Sequence, residues 1–209
     1  MARLCFCPSE RPIPEQKRTA ELVLDHIQRH GLHVAEFART QPNSPSRTEF
    51  LRTQLRGHES SGLGVITFNL RQQLAVLDEL MELRKSRPDL EPFFREDRPE
   101  PFFVKNLENV QGDERDRIIL SVAYGLNEET GRDSMRFGPL NRAGGERRLN
   151  VAVTRSREAI TLVSSIRSDD IDLNRTKSRG ARLLRADLDY AERGPSALAA
   201  ESVETGRDL

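Results

Sequence analysis

Two short β-branched runs, Ile118 to Val122 and Ile160 to Val163, constrain this chain more than anything else in it. Brief runs that are apolar on both faces are typical of strands buried between two layers. Each is fed by a polar, charge-dense element, FFVKNLENVQGDERDR before the first and GGERRLNVAVTRSREA before the second. The polar groups therefore lie beside a sheet, where ligands usually bind.

The rest of the chain supplies the helices that such a sheet requires. Ala20, Val23, Leu24 and Ile27 recur at helical spacing and Gly31 follows as a stop, which predicts an amphipathic helix from Glu15 to His30. Leu63 to Phe68 reads as a strand. Leu70 to Arg87 reads as a helix with Leu70, Leu74, Leu77, Leu80 and Met81 along one stripe, ended by Pro88. Asp89 to Pro101 is a surface connection, Phe102 to Val104 starts a strand, and Leu126 to Ala143 is a polar loop. Gly144 to Arg157 then forms a helix, Ala159 to Ser164 a strand, and Ser178 to Arg193 a helix closed by Gly194 and Pro195. Strands alternating with helices predict an α/β fold, a parallel sheet with helices on both faces. Met1 to Pro14, with its prolines and no period, is expected to be irregular; Arg39 to Gly62 reads as an insertion or mobile loop, and Ser196 onward as a polar, disordered tail.

Bulk properties narrow the function. Lys plus Arg total 33 and Asp plus Glu total 33, so any basic site must be local. No apolar run approaches the ~18 residues of a membrane helix and the start lacks a signal peptide's apolar core, so no membrane partner and a cytoplasmic location are expected. Cys5 and Cys7 lack two further ligands for a tetrahedral metal site. His26 and His30 stand four apart, but the intervening HIQRH has no Glu, and no metal site is predicted.

Some chemistry is absent from the sequence and some is suggested by it. No Gly-x4-Gly-Lys-[Ser/Thr] phosphate loop occurs, and Asp113 and Glu114 precede an apolar strand rather than ending one, unlike a magnesium-holding acidic pair. Arg148 and Arg155 stand seven apart, and on a continuous helix they share a face that presents guanidiniums to an anion. A solvated basic face paired with Glu146 or Glu158 is the alternative. Gly112 permits close backbone approach and Glu114 beside it is able to accept hydrogen bonds from sugar hydroxyls, although spacing alone favours a tight surface turn with two acids.

VQGDERDRIILSVAYG (Val110 to Gly125), followed by FGPLNRAGGERRLNVAVTRSR (Phe137 to Arg157), resembles motifs V and VI of superfamily 1 helicases. The branch is the one containing the nonsense-mediated-decay helicase and large bacterial helicase-like proteins. LGVITFNLRQQ (Leu63 to Gln73) resembles motif IV of the same branch. The resemblance implies a RecA-like P-loop NTPase fold, incomplete at the N-terminal side. It divides the chain into a partial region with a helix and variable insertion over 1–62, a helicase C-terminal domain over 63–194, and a tail over 195–209.

It also implies roles. Arg155 of TRSR would be the arginine finger reaching the γ-phosphate of ATP held by a first RecA-like domain. Glu114 would bind the ribose, with Gln111 and Gly112 shaping that loop, and Thr67 and Asn69 would touch the backbone of single-stranded DNA or RNA. Gln72 matches the motif IV glutamine without an assigned role. ATP and Mg2+ are expected only with a chain or domain carrying the first RecA-like half, because the 209 residues contain no phosphate loop. A second reading is a non-catalytic remnant or adaptor that binds nucleic acid or a partner helicase.

Overall fold

The computed structural model describes residues 3–7, 15–30, 62–124, 137–164 and 166–197. The insertion expected before Gly62, most of the loop after Leu126 and the tail beyond Ala197 lie outside those residues. Among the described residues the strands are β1 (Arg3–Cys7), β2 (Leu63–Thr67), β3 (Phe103–Asn106), β4 (Arg115–Val122) and β5 (Ser156–Ser164), in spatial order β1-β5-β4-β2-β3. Every neighbouring pair is parallel. The helices that bear on the argument are α1 (Glu15–His30), α2 (Leu70–Ser86), α3 (Glu91–Phe94), α4 (Gly145–Val153) and α5 (Arg179–Arg193).

Alternation along the strands divides the core into two layers, because successive side chains of a strand point to opposite faces. Val65, Ile119 and Val163 meet Ala20, Val23 and Ile27 of α1, Val76 and Leu80 of α2, and Phe93 of α3. On the other face Ile66, Ile118, Leu120, Ile160 and Leu162 meet Leu149 and Ala152 of α4 and Ala181, Leu184 and Leu188 of α5. The register carries this through the sheet, with Val65 opposite Ile119, Leu120 opposite Leu162 and Ile118 opposite Ile160. Three elements are joined by buried polar groups. The Ser121 hydroxyl on β4 accepts from Gln72 Nε2 of α2 at 2.7 Å and lies 2.9 Å from the Thr19 hydroxyl of α1.

The structure corrects five local expectations, one of them that Asp89 to Pro101 is a surface connection, since it carries α3 and buries Leu90 and Phe93. Arg3–Cys7, expected to be irregular, forms β1 and pairs with β5 from Arg3 opposite Ala159 to Cys7 opposite Val163, so ladder pairing overrides the nearby prolines. The stripe expected on α2 does not face the core as a whole. Gln72, Val76 and Leu80 are its buried residues, and Leu70, Leu74, Leu77 and Met81 lie roughly 130° further round the helix at about 100° per residue.

The helix expected to run to Arg157 ends at Val153. The Arg155 carbonyl accepts from the Arg115 amide at 3.0 Å, a bond in the sheet that a continuing helix would have directed to its own next turn. Ser156 then pairs with Arg115 and β5 begins three residues before the expected Ala159. The polar loop before α4 also carries core residues, since Phe137 and Leu140 are fully buried.

Candidate functional site

A groove of about 430 Å³ runs between the 107–114 loop and the N-terminal half of α4, bordered by Gln111 and Glu108 on one side and Arg147, Arg148 and Val151 on the other. The loop has a fixed path because two of its apolar residues, Leu107 and Val110, are buried in the α4-side core. Its backbone is tied as well: the Leu107 amide donates to the Thr67 carbonyl at 3.0 Å and the Glu108 amide to Asn106 Oδ1 at 2.9 Å. Lys105 Nζ reaches Asp113 at 2.5 Å. Gly112 turns the chain at φ 91°, the left-handed region that costs other residues about 1–2 kcal/mol. The result is a stiff loop that leaves Gln111, Gly112 and Glu114 exposed.

Arg155 stands in the two-residue turn between α4 and β5, close to Glu114 in space. Its Nε donates to the Val151 carbonyl at 3.0 Å and its Nη2 to the Thr154 hydroxyl at 3.2 Å, while Nη1 lies 3.8 Å from Glu114 Oε1. Neutral oxygens therefore fix the guanidinium, and its one acidic contact among the described residues is long. Such a group is oriented without being fully neutralised, which suits contact with an arriving anion. A similar long pair, Arg142 to Glu108 at 3.8 Å, crosses from the same loop to the segment before α4. Arg148 donates to the Ala143 carbonyl at 3.5 Å. The pairing of these arginines with Glu146 or Glu158 weighed from sequence is not what forms at Glu158, which stands 3.9 Å from Arg117. The shared helical face of Arg148 and Arg155 is replaced by a helix residue that lines the groove and a turn residue, bonded to the carbonyl of the lining residue Val151, that reaches Glu114.

Two further arginines hold this arrangement, and the motif spacing gave them no role. Arg115 is buried and donates through Nε and Nη2 to the Pro101 carbonyl at 3.0 and 2.6 Å and through Nη1 to the Glu114 carbonyl at 2.6 Å. It thereby fixes the backbone from which the Glu114 carboxylate projects. Arg157 bridges Asp116 at 2.7 Å and Glu100 at 2.6 Å. Burial pushes the Asp116 carboxyl up, but hydrogen bonds from Arg157 and the Gly62 amide and the positive charges of Arg157 and Arg117 outweigh it, so it sits below its usual range. Those two acids in turn hold Arg157 above its ordinary value.

Thr67 and Asn69 lie at the opposite edge of the sheet. Thr67 is the last residue of β2 and Asn69 stands just past it, whereas Glu114 and Arg155 precede the N-terminal ends of β4 and β5. Thr67 is fully buried, and its hydroxyl donates to the carbonyls of Asn69 at 3.2 Å and Lys105 at 3.4 Å. Half-buried Asn69 caps α2, its Oδ1 accepting from the Gln72 amide at 2.9 Å. Gln72 gains a structural place in the buried link to Ser121. Among the described residues no group of three or more His, Cys, Asp or Glu side chains is arranged to hold a metal ion, and no helix is long and apolar enough to cross a membrane.

A family model described as an AAA domain matches residues 49–167. The chain belongs to that family. This AAA domain has the RecA-like P-loop NTPase fold, and its matched segment contains both walls of the groove. Among curated proteins it is 40% identical over 176 residues to a Mycoplasma pneumoniae protein named as a homologue of an uncharacterized ATP-dependent helicase, covering 81% of this chain and 14% of the relative. It is also 40% identical over 134 residues to the Mycoplasma genitalium protein of that name, covering 62% of this chain and 11% of the relative. The AAA domain is thus helicase-like and spans a small part of the length of these relatives.

Proposed function

We propose that this AAA domain is the second motor domain of an ATP-dependent superfamily 1 helicase, of the branch whose motifs V and VI its sequence resembles. The observation that carries the reading is the meeting of Arg155 and Glu114 across the turn before β5, with Nη1 3.8 Å from Oε1. A triphosphate terminus fits an oriented cation beside a groove lined by Arg147 and Arg148, to which Val151 connects it, and an exposed carboxylate beside Gly112 fits a sugar hydroxyl. Arg155 acts as the finger that stabilises charge on the transferring phosphoryl group, and Glu114 holds the ribose. Gln111 and Gly112 shape the wall between them. ATP supplies the phosphoryl group and Mg2+ neutralises its oxygens, both held by a domain carrying the phosphate loop. Single-stranded DNA or RNA passes the Thr67 and Asn69 end of β2, where Asn69 is the more accessible group and Thr67 supports the turn.

The test mixes the purified chain with a separately made first domain carrying the phosphate loop and measures ATP hydrolysis with and without a single strand. The expected result is hydrolysis that needs both chains and falls about 10³-fold or more with Arg155→Ala, the scale of arginine-finger losses. No gain at any ratio supports the adaptor reading instead. Hydrolysis by this chain alone, abolished by the same substitution, overturns the two-domain division of labour.

A further inference from the structure

The four apolar residues that turn away from the core of α2 form a seam of their own. Leu70, Leu74, Leu77 and Met81 are 60%, 54%, 37% and 51% exposed. Their spacing of four, three and four residues is the alternation by which one helix packs along another, and the stripe is about 16 Å long at 1.5 Å per residue. Isolated exposed leucines are ordinary, but a continuous seam of four on one helix face marks an interaction surface.

The flanking charges indicate what covers it. Arg71 and Asp78 border the same side of the stripe, two turns apart, and neither has an ion-pair partner among the described residues. When a second α2 is laid antiparallel on the seam, Leu74 of one copy meets Leu77 of the other. Arg71 of each copy then comes beside Asp78 of its mate. One surface thus supplies both halves of the contact, as a two-fold interface requires. We propose that the seam is a self-association surface, in which two copies of this chain pair through antiparallel α2 helices flanked by two Arg71–Asp78 ion pairs.

The surface is separate from the groove, since α2 packs on the α1 side of the sheet and the groove lies on the α4 side. Pairing therefore brings two copies together with both grooves open. Four side chains make a small contact beside the roughly 800 Å² per partner of a standard interface, so the pairing is weak and concentration-dependent.

Sedimentation equilibrium from about 1 μM to about 1 mM reads the association directly. The expected result is a mass rising from one chain toward two. Leu74→Glu removes the rise with an unchanged circular dichroism spectrum, Asp78→Arg weakens association at least about tenfold, and Arg71→Asp with Asp78→Arg together restores it. A single-chain mass throughout overturns the proposal, as does association that survives Leu74→Glu or ignores the charge reversals. Loss of thermal stability in Leu74→Glu at unchanged single-chain mass would mean another part of this chain covers the seam, which also overturns it.

Discussion

Arg155 and Asp187 show how differently a charged side chain is treated in this fold. Arg155 is oriented by the Val151 carbonyl and the Thr154 hydroxyl, and its pair with half-exposed Glu114 is long. Exposed pairs of this kind contribute little to stability, so Glu114→Ala is expected to change the unfolding free energy by less than about 0.5 kcal/mol while weakening nucleotide binding in the complemented motor. Equilibrium urea unfolding and nucleotide titration separate the two effects. Asp187 on α5 is the reverse case: its Oδ2 is buried without a hydrogen-bond partner among the described residues, and burial pushes its carboxyl up from 3.8 to about 6. The folded state holds this proton more tightly than the unfolded chain. Its contribution is therefore most favourable below about pH 4, is lost as pH rises toward 6, and stays lost above. Asp187→Asn is expected to stabilise the protein by about 1–3 kcal/mol at pH 7.5 and by much less at pH 4. Equal effects at the two pH values, measured in urea, would sink this reading.

At the scale of elements, the groove depends on how closely α4 approaches the segment before it. A side chain at Gly145 would meet the Leu140 carbonyl oxygen and α-carbon well inside van der Waals contact, whereas a side chain at Gly112 meets nothing nearby. Gly145→Ala should therefore displace the start of α4 and cost about 2–4 kcal/mol, while Gly112→Ala costs about 1–2 kcal/mol through its positive φ alone. Thermal unfolding of the two variants measures the contrast. These approaches were not legible in the sequence, where Gly144 and Gly145 look alike. What was legible followed from periodicity: the bounds of α1, the strand at Leu63 and the closing helix with its Gly194 stop. The errors came from long-range pairing. Nothing local in TRSR announces that the Arg155 carbonyl bonds to Arg115, and nothing in RLCFC announces a partner as distant as β5. The α2 stripe misled because the helix carries two apolar sets, and only the tertiary fold decides which one the sheet covers.

For the molecule as a whole, the Thr19, Ser121 and Gln72 cluster joins parts that are remote in sequence. Ser121 lies opposite Thr67 in β2 and Val163 in β5, so it occupies the middle of the sheet, with α1 and α2 both bonded to it. α1 falls outside the matched residues 49–167, yet it shares the layer formed by Val65, Ile119, Val163 and Val76. Its docking should be cooperative with the sheet. Ser121→Ala removes the hydroxyl that the Gln72 amide and the Thr19 hydroxyl share in a buried layer, at an expected cost of about 2–3 kcal/mol. Because one hydroxyl serves both helices, the cost of Ser121→Ala and of Gln72→Leu should not add, and the double variant should be more stable than the sum predicts by about 1 kcal/mol. Hydrogen exchange supplies the second reading. If α1 and the sheet form one unit, Ser121→Ala lowers protection at Val23 and at Ile119 alike; a loss confined to α1 would mean that the helix opens by itself and that the cluster does not link the two.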